Sequence, residues 1–283
     1  MILSGKNVAD DITSRNVAKA KELRDKGINP TLAVIRVGEN PSDVAYEKGL
    51  HKRAESTGVN VEGFVYDIDV TQEKLLEDIE KINKDSNIHG ILVFRPLPSH
   101  IDDETICNAI DYRKDIDGVS KVSMVGVYSG SNGFFPPCTA QACIEMLDYY
   151  DISLAGKRVC VAGRSLVVGR PVAMMCMSRN ATVSILHSRT RREDFNEAIR
   201  NAEIVIAAIG RPAMIGSDQL GKDQIILDVG TNVDDEGKLC GDVNFEEAQQ
   251  VATAVTPVPG GIGRITTAVL MKHVILAASE SEH

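Results

Sequence analysis

An apolar run leads through a glycine-bearing turn into a helical pattern in the stretch Arg158-Val-Cys-Val-Ala-Gly-Arg-Ser-Leu-Val-Val-Gly-Arg-Pro171. Residues 159–163 carry almost no polar atom, which is typical of a strand buried in a parallel sheet. Pro171 is tolerated in the first turn of the helix that follows, because its missing N–H would be unpaired there anyway. The free N–H groups of such a helix start, with Arg164 and Arg170 close by, would suit a phosphate group. The glycines do not follow the G-x-G-x-x-G spacing, so a tight turn without a ligand fits these residues equally well.

The composition places this chain of 283 residues among soluble globular proteins, with 43% hydrophobic and 25% charged residues. The length allows one large domain or two ordinary ones. The net charge of −9 argues against nucleic acid or an anionic membrane as a partner. The six cysteines show no C-x-x-C spacing, which predicts reduced core residues of a cytoplasmic protein and no metal site. No secretory pattern begins the chain, and no apolar run approaches the ~20 residues of a membrane span.

Strands and helices alternate along the sequence, and this alternation predicts a parallel, doubly wound α/β sheet. The glycine-rich stretch 126–133 is expected to be irregular, and the helix after it is expected to connect to a second domain. Helices are predicted at 7–26, 42–57, 72–83, 140–150, 172–177 and 266–278. Strands are predicted at 31–37, 60–66, 89–94, 159–163, 181–186, 203–208, 224–229 and 252–258.

Three places in the first half combine strand or helix ends with chemistry-bearing residues. Tyr46 lies on the helix after the turn Gly38-Glu-Asn-Pro41, although a lone tyrosine is more often a half-buried packing residue. The stiff loop Arg95-Pro-Leu-Pro-Ser-His100 follows an apolar strand and suits either a cleft wall or a rigid connector. Lys114-Asp-Ile-Asp-Gly118 places two acids around a tight turn, which by itself fits a solvated turn better than a cation site.

The second half places basic and glycine-rich segments at successive strand ends. The loop His187-Ser-Arg-Thr-Arg-Arg192 follows a strand about 20 residues past the first glycine turn, where an NAD site would carry an Asp or Glu. Hydroxyl and guanidinium groups suit a 2′-phosphate instead, so NADP is the predicted cofactor. The turns Gly210-Arg-Pro212, Gly230-Thr-Asn232 and Pro259-Gly-Gly261 would line one crevice, where the backbone can approach a flat ligand closely.

Several of these segments together resemble one family, the methylenetetrahydrofolate dehydrogenase/methenyltetrahydrofolate cyclohydrolase proteins. The likeness extends from about Gly5 to the final helix, in order and with short gaps. The segments that carry it are Gly38-Glu-Asn-Pro41 with Tyr46, Gly90-Ile-Leu-Val-x-x-Pro-Leu-Pro98, Lys114-Asp-Ile-Asp-Gly118, Pro137-Cys-Thr139, Gly163-Arg-Ser-x-x-Val-Gly-Arg-Pro171 and Thr256-Pro-Val-Pro-Gly-Gly261.

The resemblance implies a cytoplasmic homodimer of two α/β domains with a folate cleft between them. Residues 1–139 with 265–283 would form the folate-binding catalytic domain, and residues 140–264 a Rossmann-type NADP-binding domain. The partners implied are one-carbon derivatives of tetrahydrofolate. Asp117 would hydrogen-bond the pterin ring and Tyr46 would stack beside it, with Pro259, Gly260 and Gly261 also binding substrate. The residues implied for NADP are Gly163, Arg164, Ser165, Val168, Gly169, Ser188, Arg189 and Thr231, with Arg164 and Ser188 on the 2′-phosphate.

Two positions depart from the family pattern. The family has a catalytic lysine four residues after the tyrosine and a glutamine that hydrogen-bonds it; this chain has Leu50 and Phe94 at those positions. At ~100° per helical residue, Lys48 lies ~200° and Lys52 ~240° around the helix from Tyr46, so neither replaces the lysine.

Hydride transfer from 5,10-methylenetetrahydrofolate moves no proton, whereas opening the methenyl ring with water needs acid–base groups. We therefore expect a dehydrogenase with weak or absent cyclohydrolase activity. The alternative is the bifunctional enzyme, with Lys48, Lys52 or Arg95 serving hydrolysis. A non-catalytic binder of NADP or folate and another Rossmann dehydrogenase are less consistent with the residues present.

Overall fold

The predicted alternation of strands and helices is present in the structure, a computed structural model that describes residues 1–280. The strands are β1 (Thr31–Val37), β2 (Asn60–Tyr66), β3 (Gly90–Val93), β4 (Arg158–Ala162), β5 (Thr182–Leu186), β6 (Ile204–Ala207), β7 (Ile225–Asp228), β8 (Asn232–Val233), β9 (Leu239–Cys240) and β10 (Ala254–Val255). The helices are α1 (Gly5–Asp25), α2 (Pro41–Thr57), α3 (Gln72–Lys84), α4 (Asp103–Ala109), α5 (Lys121–Ser129), α6 (Cys138–Tyr149), α7 (Gly169–Ser178), α8 (Arg192–Asn201), α9 (Phe245–Val251) and α10 (Thr266–Glu280). None of the helices within this range is long and apolar enough to cross a membrane.

The chain divides into two compact units. The three-strand unit comprises Asp11–Cys138 with the chain from Thr267, and the five-strand unit comprises Met1–Asp10 with Thr139–Thr266. The first ten residues group with the five-strand unit because they hydrogen-bond to its last strand and the turn beyond. The Leu3 N–H donates to the carbonyl of Val255, and the Gly5 N–H donates to that of Gly260, each at 2.9 Å. The prediction of two α/β domains is confirmed.

The three-strand unit contains a parallel sheet in the order β2-β1-β3. Every residue of the central strand β1 is buried, as its predominantly apolar sequence predicts. Helix α3 begins where the Thr71 hydroxyl accepts from the Lys74 N–H at 3.2 Å. Its apolar residues Leu75, Ile79 and Ile82 recur at helical spacing and pack in a core with one face of β1.

The five-strand unit contains a parallel sheet in the order β10-β7-β6-β4-β5. After β4 the chain forms β5 on one side of it and then crosses over to form β6 on the other side. The order of strands therefore reverses at β4. In such sheets ligands bind beyond the carboxyl ends of the strands at the point of reversal. Phe195 and Ile199 of α8 pack on this sheet beside Val205 and Ile226.

Two sequence-based expectations for local structure were wrong. The stretch 126–133 is not irregular throughout, because α5 continues to Ser129 and includes Gly126. A Cβ at Gly126 would lie 2.2 Å from the Phe134 ring, so this glycine allows close packing on a helix. The strand expected at 252–258 is reduced to Ala254–Val255, and the chain beyond it turns where the Thr256 hydroxyl accepts from the Asp228 N–H.

Candidate active site and nucleotide site

Helix α2 presents Tyr46 in the three-strand unit. The helix begins where the Asn40 side chain accepts from the Ser42 N–H at 3.0 Å, and Gly58 ends it in the left-handed conformation. Its rotation is fixed by a largely buried ion pair in which Arg36 Nε of β1 donates to Glu47 Oε2 at 2.7 Å. Tyr46 directly precedes Glu47 on the helix and is 46% exposed.

The two residues that depart from the family pattern are both buried. Leu50 is fully buried and Phe94 is 9% exposed. The Phe94 ring packs edge-on against the Tyr46 ring, with 5.6 Å between centroids and 68° between planes. Lys48 and Lys52 are exposed on α2, which is helical throughout 41–57. Both therefore lie on other sides of the helix from Tyr46, as predicted from the helical angle per residue. Each of the two positions therefore carries a buried apolar side chain where an amine and an amide were expected.

The two acids of Lys114-Asp-Ile-Asp-Gly118 have different environments. Asp115 is fully buried and accepts hydrogen bonds from the N–H groups of Val119 and Ser120 and from the Ser123 hydroxyl, at 3.0, 2.8 and 2.6 Å. It therefore shapes the turn. Asp117 accepts hydrogen bonds from the thiol and from the backbone N–H of Cys138 and stays partly exposed.

Asp117 lies close enough to Tyr46 for its charge to act on the tyrosine hydroxyl. Burial raises the pKa of the Asp117 carboxyl, an effect that the Cys138 hydrogen bond and the Arg95 guanidinium partly oppose. Removal of water around the Tyr46 hydroxyl, followed by the nearby Asp117, raises the pKa of the phenol well above its usual value. The sequence-predicted pair thus lies in one neighbourhood, and the tyrosine stays protonated at neutral pH.

The predicted substrate residues Pro259, Gly260 and Gly261 belong to the five-strand unit, in the turn after β10. Gly260 has φ +114°, a conformation that favours glycine. Its carbonyl accepts from the Gly5 N–H, so this turn is tied to the start of the chain.

A cavity of about 380 Å³ lies in the five-strand unit where β4, β5 and β6 end. Four of the residues predicted for the cofactor line it: Gly163, Arg164, Ser165 and Ser188. The other four, Val168, Gly169, Arg189 and Thr231, are outside its lining. The remaining lining residues are Leu186, His187, Thr190, Arg192, Phe195, Ala208, Ile209, Arg211 and Met214.

The turn after β4 is built for close approach between backbones. A Cβ at Gly163 would lie 2.1 Å from the Ala208 carbonyl oxygen, and one at Gly169 would lie 2.3 Å from that of Gly163. The Ser165 hydroxyl accepts from the N–H groups of Val168 and Gly169 at 3.1 and 3.3 Å. These contacts set the start of α7 directly after the turn, as the sequence predicted.

Three arginines of the cavity have uncommitted guanidinium groups. Within residues 1–280, the side chains of Arg164, Arg192 and Arg211 form no hydrogen bond or ion pair. By contrast, Arg191 is held by Asp194 at 2.7 Å. Free guanidinium groups in one cavity favour an anionic ligand. The turn that contains Arg211 was predicted from the sequence, but no role was predicted for the Arg211 side chain.

A parallel sheet with an arginine-lined cavity at its point of reversal defines a nucleotide-binding α/β protein. Models of the tetrahydrofolate dehydrogenase/cyclohydrolase catalytic domain and NAD(P)-binding domain match residues 3–117 and 137–282, respectively. The chain belongs to the tetrahydrofolate dehydrogenase/cyclohydrolase family, which confirms the resemblance seen in the sequence.

Relatives match over nearly their whole length. The bifunctional protein FolD of Alkaliphilus oremlandii is 42% identical over 276 residues, which are 98% of this chain and 96% of the relative. The crystal structure of FolD from Campylobacter jejuni superposes with a TM-score of 0.96 at 36% identity, covering 99% of both chains. FolD of Trypanosoma brucei, complexed with NADP cofactor and inhibitor, gives a TM-score of 0.92 at 32% identity, covering 100% of this chain and 98% of that one.

Proposed function

We propose that this protein oxidises 5,10-methylenetetrahydrofolate to 5,10-methenyltetrahydrofolate with NADP⁺ and has little or no cyclohydrolase activity. The observation that carries the second part is the apolar pair Leu50 and Phe94, with the Phe94 ring against Tyr46. The first part rests on family membership and on the neighbourhood of Tyr46 and Asp117.

The oxidation needs positioning more than proton transfer. A hydride leaves the methylene carbon between N5 and N10 as the nitrogen lone pairs form the methenyl cation, and bound NADP⁺ supplies the acceptor. The Tyr46 ring would stack beside the pterin, and the Asp117 carboxyl would hydrogen-bond its edge. Alignment of the reacting carbon by such contacts supplies most of the rate.

Hydrolysis of the methenyl product requires proton transfer in addition to positioning. A water must lose a proton and a ring nitrogen must gain one, and positioned acid–base groups typically contribute ~10²–10⁴-fold to such steps. Leucine and phenylalanine side chains carry no proton to exchange. The raised pKa of Tyr46 keeps the phenol protonated and makes it a poor base. Arg95, the cation beside Asp117, carries a guanidinium, which offers hydrogen-bond donors and no acceptor.

The second candidate is the bifunctional enzyme, and relatives at about 40% identity carry that name. The two are separated by measuring both activities on one preparation. We expect NADP⁺-dependent formation of methenyltetrahydrofolate, and loss of methenyl absorbance at the rate seen without enzyme. Enzyme-dependent hydrolysis as fast as the oxidation would refute the restricted activity, and absence of both activities would refute the function itself.

The preference for NADP rests on the nucleotide cavity. Ser188 stands near the end of β5 where an NAD site would carry an acid, and three free guanidinium groups face the same cavity. A ratio of kcat/KM for NADP⁺ over NAD⁺ above about tenfold is the expected result. We propose in addition that the protein acts as a cytoplasmic homodimer, and light scattering of the purified protein would give its oligomeric state.

A further inference from the structure

The loop after β6 is held by a buried carboxylate from a distant part of the sequence. Asp242 is fully buried and accepts hydrogen bonds from three consecutive backbone N–H groups, those of Ile209, Gly210 and Arg211, at 2.5 to 3.1 Å. The side-chain amide of Asn232 donates to it at 2.9 Å. Consecutive N–H groups of this kind form an anion-binding concavity, and here the protein fills it with its own acid.

A second acid holds the first in place. Asp228, at the end of β7, accepts from the N–H groups of Gly230, Asp242 and Val243 at 2.9 to 3.0 Å. Gly241 leaves room for it, since a Cβ there would lie 1.9 Å from an Asp228 carboxylate oxygen. The two carboxylates thus fix the segment 241–243, and that segment fixes the loop that carries Arg211.

We propose that Arg211 is a further ligand of the NADP 2′-phosphate and that Asp242 is its positioning residue; this rests on the proposed use of NADP. The Asp242 carboxylate binds the backbone of the loop and leaves the Arg211 guanidinium free, at the cavity that Arg164 and Ser188 also line.

The position of the cavity indicates which phosphate of NADP would bind there, the pyrophosphate or the 2′-phosphate. The pyrophosphate of a dinucleotide binds at the N-terminus of the helix after the first strand, which is here α7. Gly163, Arg164 and Ser165 of the turn before α7 line the cavity, but Val168 and Gly169 at the helix start do not. The loop that follows β5 contributes His187, Ser188 and Thr190. The cavity therefore belongs to the adenosine end of the cofactor, where the anionic group is the 2′-phosphate.

Binding of two adenosine fragments tests this without substrate turnover. Adenosine 2′,5′-bisphosphate and AMP differ only in the 2′-phosphate, and calorimetry gives Kd for both. Arg211→Ala should weaken bisphosphate binding about tenfold or more, as for loss of a charge-assisted contact, and change AMP binding less than about twofold. Arg211→Lys should restore part of the loss. The matched control is Arg158→Ala, which removes a paired arginine at the start of β4, the end away from the cavity, and should change neither Kd.

The role of Asp242 is tested by combining variants. Asp242→Asn should weaken the bisphosphate selectively, and the double variant with Arg211→Ala should bind no worse than Arg211→Ala alone, because both changes remove the same contact. If Asp242→Asn does not fold, Asn232→Ala removes only one donor to the carboxylate and should show a smaller loss in the same selective sense. Equal weakening of AMP and bisphosphate by Arg211→Ala, or no weakening, would overturn the assignment of Arg211. Additive losses in the double variant would overturn the positioning role. Loss of dehydrogenase activity alone would bear on the proposed reaction and not on this binding.

Discussion

Restoring the missing polar pair is the most direct test of the restricted activity. In Leu50→Lys with Phe94→Gln, an amine and an amide would stand beside Tyr46, and we expect enzyme-dependent hydrolysis of methenyltetrahydrofolate at least tenfold above the unchanged protein. The ceiling is the ~10²–10⁴-fold that positioned acid–base groups supply. The assay follows loss of the methenyl absorbance, with dehydrogenase activity recorded on the same sample.

The cost in stability follows from burial. Leu50 is fully buried and Phe94 is 9% exposed, so each replacement forfeits about 2–3 kcal/mol of apolar burial. Loss of the edge contact with Tyr46 adds about 0.5–1.5 kcal/mol. The pair together costs about 4.5–7.5 kcal/mol, a large part of the ~5–15 kcal/mol typical of a domain, so thermal unfolding with NADP⁺ present must accompany the assay.

A matched control separates the amine from mere loosening of the pocket. Leu50→Met with Phe94→Gln keeps the volume near Leu50 and adds no proton-transfer group. If this control hydrolyses as fast as the lysine variant, entry of water and not the amine is responsible. If the lysine variant is folded and still does not hydrolyse, the absence of the pair is not the reason for the restricted activity.

Substitutions at Asp117, Ser188 and Asp228 test three further contacts. Asp117→Asn should lower dehydrogenase kcat/KM about 10²-fold with little change in unfolding temperature, whereas Asp115→Asn should mainly lower that temperature, since Asp115 accepts three internal hydrogen bonds; the reverse pattern would contradict the division of roles. Ser188→Asp should lower kcat/KM for NADP⁺ and raise the NAD⁺/NADP⁺ ratio by about tenfold or more, because a carboxylate repels the 2′-phosphate and accepts from a 2′-hydroxyl; an unchanged ratio would place the 2′-position elsewhere. Burial raises the pKa of Asp228 to about 6, although backbone hydrogen bonds oppose the shift. Because the folded state then binds the proton more tightly than the unfolded chain, this stabilisation is complete below about pH 4 and is lost as the pH rises through 6. The free energy of unfolding of the unchanged protein minus that of Asp228→Asn should therefore fall by about 3 kcal/mol across this range, and a flat difference would refute the shift.

The alternation of elements was predictable because it depends on local apolar patterns. Predominantly apolar runs such as β1 and β4 identify buried parallel strands, and turn residues at their ends identify the edge where ligands bind. Helix α5 was not predicted because Gly126 was interpreted as part of an irregular stretch. In the structure this glycine makes room for the ring of Phe134, eight residues further along. A local pattern cannot distinguish a glycine that terminates structure from one that admits a neighbour.

The residues of the site were predictable from the sequence, but their internal hydrogen-bond partners were not. Asp115 and Asp117 are two residues apart in one motif, yet only the fold shows that the first is consumed by internal hydrogen bonds. Arg211 depends on Asp242, which is 31 residues away in the sequence and acts on backbone groups that every residue possesses. Side-chain chemistry at strand ends can be identified from sequence, whereas the commitment of a charge to an internal partner depends on long-range contacts.

The change at positions 50 and 94 is consistent with selection of one reaction at a shared carbon. A lysine near the methenyl carbon would place a positive charge close to the cation that the oxidation creates, whereas leucine and phenylalanine impose no such repulsion. The Phe94 ring also supports the ring of Tyr46, which is nearly half exposed, through the edge-on contact between them. An edge-on aromatic contact fixes the orientation of the tyrosine without bringing a group that exchanges protons. Under the proposed function, Leu50 and Phe94 would keep the positioning that hydride transfer requires and would supply no group for the proton transfer that hydrolysis requires.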